Sequence, residues 1–270
     1  MITLVLIVFN LLFILGLCAG VAYLVMRWTF SLKRHSRLLH RYADISLAAN
    51  SGAVVLLSLG LAFVFGDISN VRSRAKLAVL QEADAIRTIG RTSLNLDPTI
   101  GGPLMIATRE YAKAVIEKEW PQLALRRPDE IRSGQHSALT PLTVMSDIVY
   151  APENLAKLPN ATSMQLSALV TRIREQRLTR IDTSSFSIGL RSILLAFITT
   201  LASCVVMSLV NIRSPHAQFV SNFILFGVTA CALYLAFIAQ NPFAGPDFVS
   251  NAPLEEACDR LNNMRLTRTK

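Results

Sequence analysis

Charged residues are scarce in this chain, and they are absent from its four long apolar blocks. Only 17% of the 270 residues are charged, whereas about 25% is usual for a soluble domain. The blocks cover residues 3–26, 45–65, 193–212 and 219–239, and each is near the length of about 20 residues that crosses a bilayer. The sequence therefore predicts a multi-pass membrane protein of the cell membrane, with an all-α fold of four transmembrane helices.

Residues that build catalytic or metal centres are equally sparse. The four cysteines and four histidines form neither a C-x-x-C pair nor a spacing such as H-E-x-x-H. Glycine-rich phosphate loops and G-x-S-x-G segments are also absent. Glu117 and Glu119 lie two residues apart, so on a helix they point to different sides, and we expect both on a solvated face. We therefore predict no enzyme activity, no catalytic residue, no cofactor and no metal.

The lack of charge inside the apolar blocks also bears on transport. Proton-coupled transporters usually carry an Asp, Glu or His within the bilayer, whereas the polar residues inside these blocks are uncharged. This composition disfavours a pump. It is compatible with a passive channel that closes at a ring of apolar side chains.

Basic residues collect at the ends of the apolar blocks. They are Arg27, Lys33, Arg34, Arg37 and Arg41 after the first block, and Arg172, Arg174, Arg177 and Arg180 before the third. We expect these clusters to meet lipid phosphates. Nucleic-acid binding is not predicted, because the charge follows the membrane and lacks interleaved aromatic residues. The positive-inside rule would place the first cluster in the cytoplasm and the C-terminus outside.

The apolar blocks divide the chain into four parts. Residues 1–66 hold the first two blocks, residues 193–240 hold the last two, and residues 241–270 form a tail. Residues 67–192 lie between them, and their first part, Ile68–Leu94, shows apolar positions near the 3.6-residue period. This spacing predicts a helical extramembrane stalk region between the second and third transmembrane helices.

Several motifs resemble a known family. "NPFAGPDF" (241–248) resembles the N-P-F-G segment after the last span of bestrophins, and "LSLGLAFVFGDISN" (57–70) resembles their second span. "EADAI" (82–86) resembles the E-A-N-A-L helix of the bacterial bestrophin-like family, formerly a domain of unknown function. The R-x-Y-A-x-x-V-x-x-x-E-W-P helix of that family is matched by Arg109, Tyr111, Ala112, Val115, Glu119, Trp120 and Pro121.

The resemblance implies four transmembrane helices and, by the remote similarity to bestrophins proper, a homopentameric ion channel in the bacterial inner membrane. Its partners would be lipid, ions and other copies of the chain. Bestrophin termini are cytoplasmic, which conflicts with the positive-inside rule, so both orientations stay open. The alternative function is a non-conducting membrane scaffold or signalling component, which the stalk-like middle region would suit.

The resemblance also implies where a pore neck would lie. Anchored on Gly60, the matching neck positions on the second transmembrane helix are Ala53, Leu57 and Leu61. Ser51 and Ser58 form a second, polar stripe on the same helix, and only one stripe can face a central axis. The bestrophin calcium clasp uses an acidic run after N-P-F-G. Of that run this chain keeps Asp247 alone, so we expect no clasp.

The C-terminal end of the last apolar block carries a helix-exit motif, Asn241, Pro242, Phe243 and Gly245. Pro242 removes a backbone donor and ends the helix, and Gly245 permits an unusual bend. We expect a rigid exit that presses the tail along the stalk, of the same or a neighbouring subunit. The alternative is a simple stop signal with interfacial aromatic residues.

Overall fold

The computed structural model of the chain describes Phe13, Ser31 and residues 16–28, 43–134, 137–211, 214–244 and 248–268. For residues 43–50, Ala53, Leu209 and residues 265–268 it describes the backbone alone. The described residues are helical almost throughout and contain no β-strand. The predicted all-α class is therefore confirmed.

The helices follow one another with short connections. In chain order they are α1 (Gly16–Trp28), α2 (Ala43–Leu94), α3 (Pro98–Ala114), a π-helical turn (Val115–Glu119), α4 (Trp120–Ala124), α5 (Pro128–Arg132), α6 (Leu139–Tyr150), α7 (Pro152–Lys157), α8 (Asn160–Ser184), α9 (Leu190–Val210), α10 (Pro215–Ala239) and α11 (Ala252–Arg268).

Three described helices are long and apolar enough to cross a membrane. They contain the segments Val54–Leu94, Leu190–Ser208 and Pro215–Ala239, which include or overlap the predicted second, third and fourth spans. Helix α1 is also apolar but shorter than a span, and most of the predicted first block before it lies outside the described residues. A fourth transmembrane helix therefore stays a prediction.

The chain forms two compact units. The described residues up to Ile68 and the segment Ile188–Gln240 make the first, which we call the membrane unit. Ser69–Ser187 and the residues from Asn241 onward make the second, which we call the extramembrane unit after the location predicted for the middle region. The tail therefore belongs to the same compact unit as the middle region.

The membrane unit contains a helical hairpin of α9 and α10. Its buried apolar side chains include Cys18, Cys204 and Phe226, so these thiols lie among apolar neighbours, as expected of free cysteines. Two polar pairs cross the hairpin: Asn222 Nδ2 donates to Ser208 Oγ at 2.8 Å, and Asn211 Nδ2 donates to Ser221 Oγ at 3.3 Å. Such hydrogen bonds hold membrane helices together where burial of apolar surface cannot.

The extramembrane unit surrounds one apolar core. Helix α2 contributes its 3.6-residue stripe, which includes Ala75, Val79 and Ile86, because residues at this spacing share one helix face. Helices α3, α6 and α8 contribute buried side chains to the same core, and α11 adds Leu254 and Leu261. The tail is therefore part of the core and not an appendage.

Helix α3 approaches the C-terminal end of α2 very closely. Its start is fixed by Asp97, whose carboxylate accepts a hydrogen bond from the backbone N–H of Thr99 at 2.9 Å. A Cβ atom built on Gly101 would lie 2.2 Å from the backbone oxygen of Ser93, whereas one on Gly102 would meet nothing within 4 Å. Only a glycine at position 101 allows this approach.

We expect Gly101→Ala to destabilise the protein by about 1–3 kcal/mol, because backbone atoms must move to admit the methyl group. Gly102→Ala is the matched control on the same helix and should stabilise it by about 0.5–1 kcal/mol, since alanine is the better helix former. Thermal unfolding of the detergent-solubilised protein checks both variants. Equal midpoints for the two would contradict the close approach.

Candidate functional site

The membrane segment of α2 buries one face and exposes another. Leu57 is 4% exposed and Val64 is 3% exposed, and Gly60 between them faces Leu195 of α9. The exposed side chains in the same segment are large and apolar: Val55, Leu56, Leu59 and Phe63. One side of α2 therefore packs within its own membrane unit, while the side chains on the other are exposed among the residues that the structure describes.

The predicted neck residues differ in how far they are exposed on α2. Leu57 is buried and Leu61 is partly buried, while the side chain of Ala53 lies outside the described residues. Ser51 and Ser58 of the alternative stripe are both exposed. The assignment of a neck to either stripe stays a prediction.

A buried network of charged residues lies in the extramembrane unit. Glu82 comes from α2, Tyr111 from α3, Glu119 from the π-helical turn, and Arg177 and Arg180 from α8. Glu82, Tyr111, Glu119 and Arg180 are all fully buried. Two carboxylates thus face two guanidinium groups, which is the pairing that buried charges require.

Arg180 is the centre of this network. Its Nε donates to Glu82 Oε2 at 3.0 Å and its Nη2 to Glu119 Oε2 at 2.9 Å. Arg177 Nη2 donates to Glu119 Oε1 at 2.6 Å, and the Tyr111 hydroxyl donates to Glu82 Oε1 at 2.6 Å. One arginine therefore joins α2, α8 and the π-helical turn.

The network shifts the pKa values of Glu119 and Tyr111. Burial alone would raise the pKa of Glu119, but the guanidinium groups of Arg180 and Arg177 outweigh it and hold that pKa below its usual range. Burial, followed by the nearby charge of Glu82, raises the pKa of Tyr111 well above its usual value. At neutral pH the carboxylate of Glu119 is ionised and the phenol of Tyr111 keeps its proton.

The π-helical turn explains why Glu119 is buried. Along this segment Tyr111, Val115, Glu119 and Leu123 are all buried, at a spacing of four residues. A regular α-helix repeats every 3.6 residues and would rotate Glu119 away from Tyr111, but the wider π turn takes up extra residues and restores the alignment. The expectation of a solvated Glu119 is therefore wrong, while Glu117 is exposed as expected.

Two of the basic residues assigned to lipid contact also have another role. Arg177 and Arg180 pair with buried carboxylates within the extramembrane unit, so the expectation that they meet lipid phosphates is wrong. Arg172 and Arg174 on the same helix are exposed. The family motifs were the sequence signal that could have pointed to this network, because Glu82, Tyr111 and Glu119 all belong to those motifs and lie together in the structure.

The helix-exit motif packs inside the extramembrane unit. Asn241, Pro242 and Phe243 are buried, and Gly245 lies outside the described residues. The Phe243 ring meets Trp120 edge-on, with ring centroids 5.3 Å apart. Asn241 Nδ2 donates to the backbone oxygen of Ala124 at 3.0 Å. The motif that follows the last membrane helix is thus held by Trp120 and Ala124 of the same chain.

The placement of the titratable side chains bears on metal binding. Within the described ranges, no group of three or more His, Cys, Asp or Glu side chains is placed to hold a metal ion. The acidic Asp247, which would be the remnant of a calcium clasp, lies outside those ranges.

Solved structures share this fold. A bacterial bestrophin homologue from Klebsiella pneumoniae superposes with a TM-score of 0.66 at 15% identity, over 96% of this chain and 98% of that one. A single-site variant of a bestrophin homologue from the same organism gives 0.65 at 13% identity, with coverage of 96% and 98%. A structure described as a membrane protein gives 0.64 at 13% identity, with coverage of 94% and 96%.

The family assignment comes from the sequence itself. No curated protein matches the chain. The family described as a bestrophin-like domain, however, matches residues 7–254, which is well over half of the chain. The resemblance carried by the E-A-D-A-I, E-W-P and N-P-F motifs is thereby confirmed, and the chain belongs to the bestrophin-like family.

Proposed function

We propose that this protein is a homo-oligomeric ion channel of the bacterial inner membrane, with a pore lined by α2. Members of the bestrophin family are ion channels rather than enzymes, and the chain has a bestrophin-type fold. The uncharged apolar segments suit a passive pore. The observation that carries the proposal is the apolar face of α2, which is exposed in the described part of the chain. A pentamer is proposed from the family alone.

The neck is assigned to one part of this exposed face. A side chain on a central symmetry axis must be exposed in the isolated subunit, a condition that Leu57 does not meet. Leu56, Leu59 and Phe63 do meet it, and spacings of three and four residues place them on one stripe. We name this stripe the Leu56 face.

The position of α10 supports this choice over the serine stripe. Phe65 lines an apolar cleft of about 510 Å³ whose other walls come from α10, including Phe223 and Val228. Ser58 and Phe65 are seven residues apart and so share a helix side, which borders α10. Phe63 lies about 200° around the helix from Phe65. The Leu56 face therefore points away from α10.

Cysteine accessibility in current recordings tests the proposal. Single substitutions Leu56→Cys, Leu59→Cys and Phe63→Cys would be made in a background whose four native cysteines are replaced by alanine. A charged, water-soluble thiol reagent should change the current of these variants, because it reaches only residues that contact the aqueous pore. Leu57→Cys is the matched control and should not respond.

Other outcomes discriminate among the alternatives. A response at Ser51→Cys and Ser58→Cys, with silence at Leu59→Cys, would assign the pore to the serine stripe. A response at Leu57→Cys and Leu61→Cys would support the neck implied by the resemblance. Absence of current from a well-folded oligomer of the native sequence would overturn the channel and favour the non-conducting scaffold.

A further inference from the structure

The end of the short helix α4 holds a segment from each of two distant parts of the chain. Asn241 Nδ2 donates to the backbone oxygens of Ala124, at 3.0 Å, and Leu123, at 3.5 Å. Arg126, two residues further on, donates from Nη2 to the backbone oxygen of Phe186. Phe186 and Asn241 are thus bound to the same few residues within the extramembrane unit.

The Asn241 contact uses groups that a helix end leaves free. The last carbonyl groups of an α-helix lack partners in the regular helical pattern. The amide of Asn241 supplies one to Ala124, whereas the Leu123 oxygen also accepts from the backbone N–H of Arg126 at 3.1 Å. The orientation of the Asn241 amide is fixed from the other side, because the backbone N–H of Phe243 donates to Asn241 Oδ1 at 3.0 Å. The edge-on contact between Trp120 and Phe243 holds the same segment a second time.

The Arg126 contact is made from an unusual backbone conformation. Arg126 has φ +57°, which lies in the left-handed region that residues other than glycine seldom adopt. Glycine or asparagine is the usual residue at such a helix end. An arginine here therefore indicates that its side chain is needed, and its guanidinium group is the part that reaches Phe186.

The two segments are the connections to the last two membrane helices. Phe186 lies four residues before the start of α9 at Leu190, and Asn241 lies two residues after the end of α10 at Ala239. The same connections are bonded once more in the membrane unit, where the backbone N–H of Ile188 donates to Gln240 Oε1 at 3.3 Å. Chain entry to α9 and chain exit from α10 are thus tied together.

We infer that the end of α4 is a joint that sets the separation of these two connections, with Arg126 and Asn241 as its positioning residues. A displacement of one connection is transmitted through α4 to the other. Insofar as the joint governs current, it rests on the proposed channel function. The coupling between the two connections does not depend on conduction and can be measured without it.

Hydrogen exchange of the full-length protein in detergent tests the joint. Asn241→Asp keeps the shape and the acceptor of Asn241 but removes its donor. It should raise exchange at residues 185–189 about fivefold, the change expected from losing the net contribution of one hydrogen bond. Arg126→Asn tolerates the left-handed backbone and removes the guanidinium group, and it should raise exchange at residues 241–244 by a similar factor. Arg127→Asn, at an exposed neighbour, should change neither.

Each substitution is expected to raise exchange in the opposite connection, and a purely local structural role would not produce that effect. If each substitution loosens only its own connection, the joint is refuted. If Asn241→Asp does not fold, Asn241→Ala removes the same donor without adding charge, and the Arg126→Asn arm is independent of both. In a conducting channel both variants should also shift the open probability. Coupled exchange in a protein that passes no current would overturn the proposed function and leave the joint intact.

Discussion

Arg180→Met is expected to cause the largest loss of stability of any single substitution in the extramembrane unit. Among the described residues, it would leave Glu82 with the hydroxyl of Tyr111 alone and would remove one of the two guanidinium partners of Glu119. Breaking a buried ion pair by removing one partner destabilises a protein by about 3–5 kcal/mol, because a charge stays buried without compensation. The free energy of unfolding of a whole domain is only about 5–15 kcal/mol. Thermal unfolding in detergent measures the effect.

Two companion variants make this result specific. Arg172→Met, on an exposed position of the same helix, should change the stability by no more than about 0.5 kcal/mol. Adding Glu82→Met to Arg180→Met should recover part of the loss, since an apolar pair can replace a buried ion pair. An Arg180→Met protein as stable as Arg172→Met would show that the network does not support the fold.

Glu119→Gln should destabilise the protein by about 3 kcal/mol at neutral pH, because both Arg177 and Arg180 lose a charged partner. Glu117→Gln, two residues away, removes only an exposed ion pair with Lys113, which is worth less than about 1 kcal/mol. Both substitutions remove one carboxylate charge in the same way. A difference in stability between the two variants therefore measures the effect of burying that charge.

The Glu119 effect should also depend on pH in a defined direction. The folded-state pKa of Glu119 lies below its usual value, so its contribution is fully present above the unfolded-state pKa, about 4.3. The contribution is lost as the pH falls through the lower, folded-state pKa. The difference in unfolding midpoint between native protein and Glu119→Gln should therefore be constant near neutral pH and shrink below about pH 4. A difference that grows on acidification would reverse the assigned sign.

The parts of the fold that follow from local composition could be predicted. Uninterrupted apolar segments mark membrane spans because no charge can be placed cheaply inside a bilayer. Residues such as Ala75 and Val79 revealed the buried face of α2 because their spacing matches the helical period. The motifs around Glu82, Glu119 and Asn241 were recognised as family features, yet nothing local indicated that they lie near one another.

The site depended on features that local patterns do not show. Glu119 pairs with residues about 60 positions away, and the π-helical turn breaks the period on which its exposure was judged. In the sequence, Arg177 and Arg180 are indistinguishable from other basic residues beside a span, because their carboxylate partners belong to other helices. Leu57 and Leu56 are adjacent and chemically identical, so only the packing of α2 against its own unit distinguishes them.

The tail's place in the extramembrane core has a consequence for biosynthesis. Five buried tail residues complete a core whose other members precede Ser187: Phe243, Val249, Leu254, Ala257 and Leu261. A chain emerging from the ribosome can form the charged network as soon as α8 has been made. Its core stays open, however, until both α9 and α10 have entered the membrane and the last residues are free. The extramembrane unit can thus be completed only after membrane insertion has finished. Truncation after Gln240 would leave an inserted chain with an exposed apolar core.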